Sequence, residues 1–261
     1  MAYQVIGIGN AVMDVISTAA DAQLDRLGVQ KGIMQLIERD RAEVLTHASN
    51  GARLIPGGSV ANTLAGLGRL GLSTAFIGRV AEDDLGRDYA RDMASDGTDF
   101  VNAPVAGAAL PTSRSIIYVT PDGERSMNTY LGVSGDLDRS DVDPTLFSDG
   151  TWLFLEGYLF DKDEGKAAFL KAAEACHAAG GKAGIALSDP FCVDRHRDDF
   201  RRPAREQRIR DLLPQFPGGV ERPVRRRIVT YDGGGGEISP TPPSYVNGCT
   251  GGSRRLTRPS S

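Results

Sequence analysis

A pair of bare glycines set just ahead of a helix constrains this chain more than any other feature. Residues 56–71 read Pro-Gly-Gly-Ser-Val-Ala-Asn-Thr-Leu-Ala-Gly-Leu-Gly-Arg-Leu-Gly. The spacing predicts a helix from about Val60 to Leu70, with Val60, Leu64 and Leu67 as its apolar stripe and Gly71 at its end. Thr74–Ile77 then reads as a strand. Glycines without side chains let a ligand approach bare backbone. The start of a helix offers unpaired N–H groups and a partial positive charge. One turn in, Asn62 projects an amide with donors and an acceptor. Together these suit a small polar molecule rich in hydroxyls, and Ser59 is an alternative N-cap for the helix.

Strands and helices alternate on either side of this segment. Val5–Ile8 is an apolar strand ending in Gly9-Asn10, and Asp21–Leu27 a short helix closed by Gly28. Gly32–Ile37 reads as a strand, and Asp40 as the cap of a helix over Arg41–His47. Asp84–Ser95 is a helix, while Ser115–Thr120 and Arg125–Tyr130 form a hairpin around Pro121-Asp122-Gly123-Glu124. Thr151–Leu155 and Ala183–Leu187 are strands flanking an Ala-rich helix over Glu164–Ala179. Such alternation predicts βαβ units and a mostly parallel sheet. No apolar run is long enough to span a bilayer, and the first residues carry no secretory signal. Three widely spaced cysteines fit neither a disulfide framework nor a zinc site, which predicts a reducing, cytoplasmic setting. The three histidines (His47, His177, His196) are scattered and are expected at the surface.

With Gly7-Ile8-Gly9-Asn10-Ala11-Val12-Met13-Asp14, the glycine-pair segment resembles the PfkB (ribokinase-like) carbohydrate kinases, and within them the adenosine-kinase-like branch. The resemblance runs from about Tyr3 to about Asp199. It implies an α/β, ribokinase-like fold: a mostly parallel sheet flanked by helices, with a small β-lid at about residues 32–37 and 113–130. It implies an ATP- and Mg²⁺-dependent kinase that phosphorylates a primary hydroxyl of a sugar or nucleoside. Asp14 would accept hydrogen bonds from vicinal hydroxyls of the acceptor, because a carboxylate is all acceptor. Gly57, Gly58 and Asn62 would hold the same molecule. Ile116, Tyr118 and Met127 of the lid would pack over it, and Arg125 is a candidate phosphate contact. Glu156 ends a presumed parallel strand, where ligands of open α/β sheets gather, and is a substrate-side acid by the same resemblance. A turn aspartate, a tight strand-to-helix turn and lid side chains packed only on one another are the alternative readings.

The pattern changes near residue 200. Residues 1–200 hold 18 Lys and Arg against 29 Asp and Glu, whereas residues 201–261 hold 12 Arg, no Lys and 5 acids, within an overall net charge of −4. Runs such as Arg225-Arg226-Arg227 and Gly233–Gly236 lack apolar rhythm, which predicts a disordered tail and an incomplete domain over 1–200. That composition fits either a GC-rich gene read out of frame or a divergent extension. The family carries its general-base aspartate, its Gly-Ala-Gly phosphate cradle and an Asn-x-x-Glu magnesium segment beyond the matched region. No Gly-Ala-Gly-Asp occurs here, so no catalytic residue or metal ligand is assigned and the chain is expected to be inactive, or a non-catalytic binder. Self-association through an exposed sheet edge is expected. Nucleic-acid binding is not, since the Arg-rich tail lacks interleaved aromatics and any recognisable module.

Overall fold

The structure, a computed structural model, describes residues 2–188, 190–205 and 211–213. In chain order the elements are β1 (Val5–Ile8), β2 (Val12–Thr18), α1 (Asp21–Leu27), β3 (Met34–Leu36), α2 (Arg39–Ala48), β4 (Arg53–Gly57), α3 (Ser59–Arg69), β5 (Thr74–Ile77), α4 (Asp84–Ser95), β6 (Thr98–Phe100), β7 (Ser113–Val119), β8 (Arg125–Tyr130), β9 (Trp152–Glu156), α5 (Asp163–Ala178), β10 (Lys182–Ala186), α6 (Pro190–Arg205) and β11 (Asp211–Leu213). They build two sheets.

The first sheet has the order β11-β10-β9-β1-β5-β6, and every pair in it is parallel. Its central strands are short apolar runs because helices cover both faces. Ile6, Ile8, Leu153, Leu155 and Ile185 pack with Phe160, Phe169 and Ala172 on one side. On the other, α3 and α4 bury Val60, Leu64, Tyr89 and Met93 against Phe76 and Met13. The fold is the expected ribokinase-like α/β arrangement.

The second sheet contains the two segments expected as a lid, and it is larger than they are. Its order is β3-β8-β7-β2-β4. The hairpin β7–β8 is antiparallel, as the Asp-Gly turn requires, and β2 runs parallel to β7 and antiparallel to β4. Helices α1 and α2 cover its outer face through Leu24, Ala42 and Leu45. Asp14 therefore lies inside a second strand, rather than in the loop after the first.

Two expected caps are corrected. Helix α2 begins at Arg39 after Glu38, so Asp40 sits within its first turn, where its charge favours the helix dipole. Gly58, not Ser59, is the N-cap of α3. At the far end, α6 continues to Arg205 and Asp211–Leu213 pairs in register with Gly184–Ala186, so regular structure extends past residue 200. The other residues beyond 205, on which the expected disorder falls, lie outside the described residues. His196 is not a surface residue: it sits at a kink in α6, 14 % exposed, with Nε2 2.6 Å from Asp161 Oδ1.

Candidate functional site

The chain passes between the two sheets at Gly9–Ala11, from β1 to β2, and at Gly58, from β4 to α3. The candidate site residues collect around these passages. Register places Asp14 opposite Ile55 of β4 on one side and Ser115 of β7 on the other. Its carboxylate rests directly on the backbone of Gly57: a Cβ on that residue would lie 2.4 Å from Asp14 Oδ1 and 2.5 Å from Oδ2. Any larger residue at 57 would expel the carboxylate. Gly58 has φ +102°, a conformation side chains resist, and a Cβ there would stand 2.5 Å from the carbonyl oxygen of Asn10. Backbone approach and positive φ demand glycine at 58, whereas at 57 it is the present position of the Asp14 carboxylate that leaves no room for a Cβ.

No described residue donates a hydrogen bond to the Asp14 carboxylate. Burial pushes its pKa up to about 7, and the Arg125 guanidinium opposes that rise. Arg125 lies on the same face of the lid sheet, because side chains alternate and Arg125, Met127 and Thr129 share parity across the β7–β8 register with Ser115 and Asp14. Asn62 is one turn into α3, three residues beyond Ser59, and its exposed side chain lies near Ser59 on the helix surface. Its backbone N–H donates to Gly58 O at 2.9 Å.

Glu156 stands at the expected strand end, in surroundings the sequence did not announce. It does end β9 at the carboxyl edge of the parallel sheet, but it is only 2 % exposed. Its Oε2 accepts from the Asn10 backbone N–H at 2.6 Å and from Asn10 Nδ2 at 3.0 Å, and its Oε1 accepts from Ser59 Oγ at 2.5 Å. Burial raises its pKa, and the bonds from Asn10 and Ser59 pull it back. The carboxylate is thus occupied by donors from the chain itself and ties the two passages together. Ser134 extends the network, donating to Asn10 Oδ1 at 3.1 Å.

The lid residues divide. Ile116 and Tyr118 are fully buried on the outer face, under α2, and Tyr118 OH donates to Leu45 O at 2.9 Å. They do not face the Asp14 side. Met127 does, paired with Ile117 of β7 and Met34 of β3. Sequence reasoning picked the wrong parity on β7, where Ser115 and Ile117 are the inward residues. It also missed Tyr89, whose hydroxyl donates to Gly57 O at 2.9 Å from the middle of α4. Only a helical apolar stripe signalled Tyr89, and a stripe reports burial without naming the polar partner.

Beside Asn10 the cleft continues between Leu131, Ser134, Tyr158, Asp161 and Lys162. Among the described residues no group of three or more His, Cys, Asp or Glu side chains converges as a metal site would require. Cys176 and Cys192 are buried, and neither forms a disulfide with a described residue. Within the described residues no helix is long and apolar enough to cross a membrane.

Comparison with known proteins gives a consistent result. Residues 30–208 match the family described as pfkB family carbohydrate kinase. A fructokinase from Klebsiella pneumoniae is 33% identical over 126 residues, which is 48% of this chain and 41% of the relative. An adenosine kinase structure from Sinorhizobium meliloti superposes with TM-score 0.76 at 40% identity, covering 81% of this chain and 64% of that one. A probable sugar kinase from Rhizobium etli CFN 42 gives TM-score 0.75 at 39% identity, with the same coverage of 81% and 64%. The chain thus spans about two fifths of the curated fructokinase and less than two thirds of these structures.

Proposed function

The chain belongs to the pfkB family of carbohydrate kinases, and from that premise we propose that it is the acceptor-binding part of a sugar or nucleoside kinase, with little or no phosphoryl transfer of its own. The observation that carries the reading is the Asp14 carboxylate: half-buried against the Gly57 backbone, without a donor from any described residue, and under the influence of the Arg125 guanidinium. A half-buried carboxylate is poorly hydrated and gains from donors that a bound molecule brings. Vicinal hydroxyls of an acceptor molecule supply such donors. Gly57 and Gly58 let that molecule reach the backbone, Asn62 offers a further amide, and Met127 with Ile117 forms an apolar wall that excludes water. Arg125 is the candidate contact for an anionic group. The hollow between Leu131 and Tyr158 is no larger than a water molecule, so it does not distinguish an adenosine-like acceptor from a bare sugar.

Family kinases use ATP with Mg²⁺. The described residues do not fit that pair: no acidic cluster converges for the metal, and the sequence has no Gly-Ala-Gly-Asp to cradle a phosphate or supply a base. General-base catalysis contributes roughly 10²–10⁴-fold and one oxyanion-type donor about 10²–10³-fold, so losing both brings turnover near background. The buried thiols fit a reducing, cytoplasmic setting. Calorimetry with adenosine and with fructose, alongside a coupled assay of ADP release, tests the reading. Binding without turnover is expected. Robust turnover refutes the catalytic half of the proposal, and absence of binding to either compound refutes the other half.

A further inference from the structure

We propose that Tyr89 is a positioning residue of the acceptor site: from helix α4 it fixes the Gly57–Gly58 peptide and so holds the seat on which the Asp14 carboxylate rests. The inference rests on the proposed acceptor site but is tested separately from it.

Three observations carry it. Tyr89 is completely buried, yet its hydroxyl donates to Gly57 O at 2.9 Å rather than to a partner on its own helix. The Gly57 Cα is the surface under the Asp14 carboxylate, so any rotation of the 57–58 peptide changes the space that the carboxylate occupies. Gly57 is the last residue of β4, paired with Val12, and Gly58 has φ +102° and presses on the Asn10 carbonyl, so this peptide stands where the strand pattern ends and the helix has not begun. The Tyr89 hydrogen bond to the Gly57 carbonyl braces it at that junction. The Tyr89 ring is in turn fixed by Phe100 in an edge-on contact at 5.7 Å and by Phe76 at 6.4 Å. The phenol is therefore a rigid prop that reaches the site from behind and touches no acceptor molecule.

The groups that bear on Asp14 are few. Arg125 faces it from β8, Tyr89 lies behind Gly57, and Glu156 is held by Asn10 and Ser59 on the far side of the glycine pair. Titration of Asp14 is thus a direct report on the geometry of its seat.

The test compares Tyr89→Phe with Met93→Leu, a substitution on the same helix in the same apolar cluster. Carbon-13 NMR of the labelled aspartate carboxyls follows the Asp14 midpoint in each full-length variant, assigned by its loss in Asp14→Asn. In Tyr89→Phe the Gly57 carbonyl loses its donor, the peptide relaxes and water reaches the carboxylate. The midpoint is expected to fall toward that of an ordinary carboxyl, while Met93→Leu leaves it in place. Adenosine affinity is expected to weaken about three- to tenfold in Tyr89→Phe, the scale of one lost hydrogen bond. An unchanged Asp14 midpoint in Tyr89→Phe overturns the inference, whatever the affinity or thermal stability does. A shifted midpoint with no adenosine or fructose binding in the unaltered chain leaves Tyr89 as the prop of Asp14 and removes the proposed function instead.

Discussion

Replacing Asp14 with asparagine should make the protein more stable at neutral and alkaline pH, although it removes a charge from the candidate site. The unfolded chain holds this carboxyl near its ordinary pKa of 3.8, whereas burial in the folded chain raises it to about 7. Between those values the folded protein binds more protons than the unfolded one, so stability falls as pH rises and levels off above about 7. At about 1.4 kcal/mol for each tenfold change in proton affinity, a displacement of this size corresponds to about 4 kcal/mol. Asparagine keeps the shape and carries no titration, so the variant lacks this slope. Other titrating groups are common to both proteins and cancel in the difference. The advantage of Asp14→Asn should therefore grow by roughly 3 kcal/mol from pH 5 to pH 8. Urea denaturation followed by the fluorescence of Trp152, the sole tryptophan, at half-unit steps of pH measures it. Parallel stability curves for the two proteins would show that Asp14 is hydrated or already satisfied, and would sink the reasoning. An acceptor that donates hydroxyls to the carboxylate should, when present, remove most of the difference.

Other outcomes follow from the same geometry. Gly57→Ala sets a methyl group about where the Asp14 carboxylate stands; its overpacking cost of about 1–3 kcal/mol should exceed the gain of about 0.4–1 kcal/mol from a stiffer unfolded chain. Calorimetry should find adenosine binding abolished in that variant, and retained affinity would count against the seat. Glu156→Ala strands the Asn10 and Ser59 donors and should cost about 1–3 kcal/mol for each buried donor left unpaired in urea denaturation, with a total under about 1 kcal/mol refuting a structural tie. Phe160 stacks against Phe169 and Phe200 at 4.8 and 4.6 Å, so Phe160→Ala should cost about 3–5 kcal/mol and speed proteolysis within α6. An unaltered digestion pattern would show that α6 docks by its ion pairs with Asp161 instead.

Elements with a clear apolar stripe, a clean apolar run or a turn signal were legible from the sequence. The Asp84–Ser95 helix, the hairpin and the apolar strands of the parallel sheet all stand where periodicity and turn residues put them. Strands β2 and β4 were not. In β2 the residues Val12, Met13, Val15 and Ser17 are buried while Asp14 turns to the site, so neither alternation nor a clean apolar run announces it. In β4, Pro56 and Gly57 stand at the end of an edge strand, where a sheet tolerates proline, and locally they read as a turn. The site suffered the same ambiguity. Asp14, Gly57 and Gly58 could be found because close approach and hydroxyl binding both demand those residue types. Glu156 was placed correctly at a strand end, but a strand end says nothing about donors arriving from residues 10 and 59. The lid parity failed because Ser115 and Ile117 are no less β-compatible than Ile116 and Tyr118; only the helices above the sheet decide which set turns outward.

The single carboxylate of Glu156 grips the chain at two of the points where it leaves one sheet for the other, through Asn10 at the first and Ser59 beside the second. A hinge motion of the lid against the parallel sheet would have to bend the backbone at these same points. The two joints are therefore coupled: a displacement at either one pulls on the same carboxylate and is felt at the other.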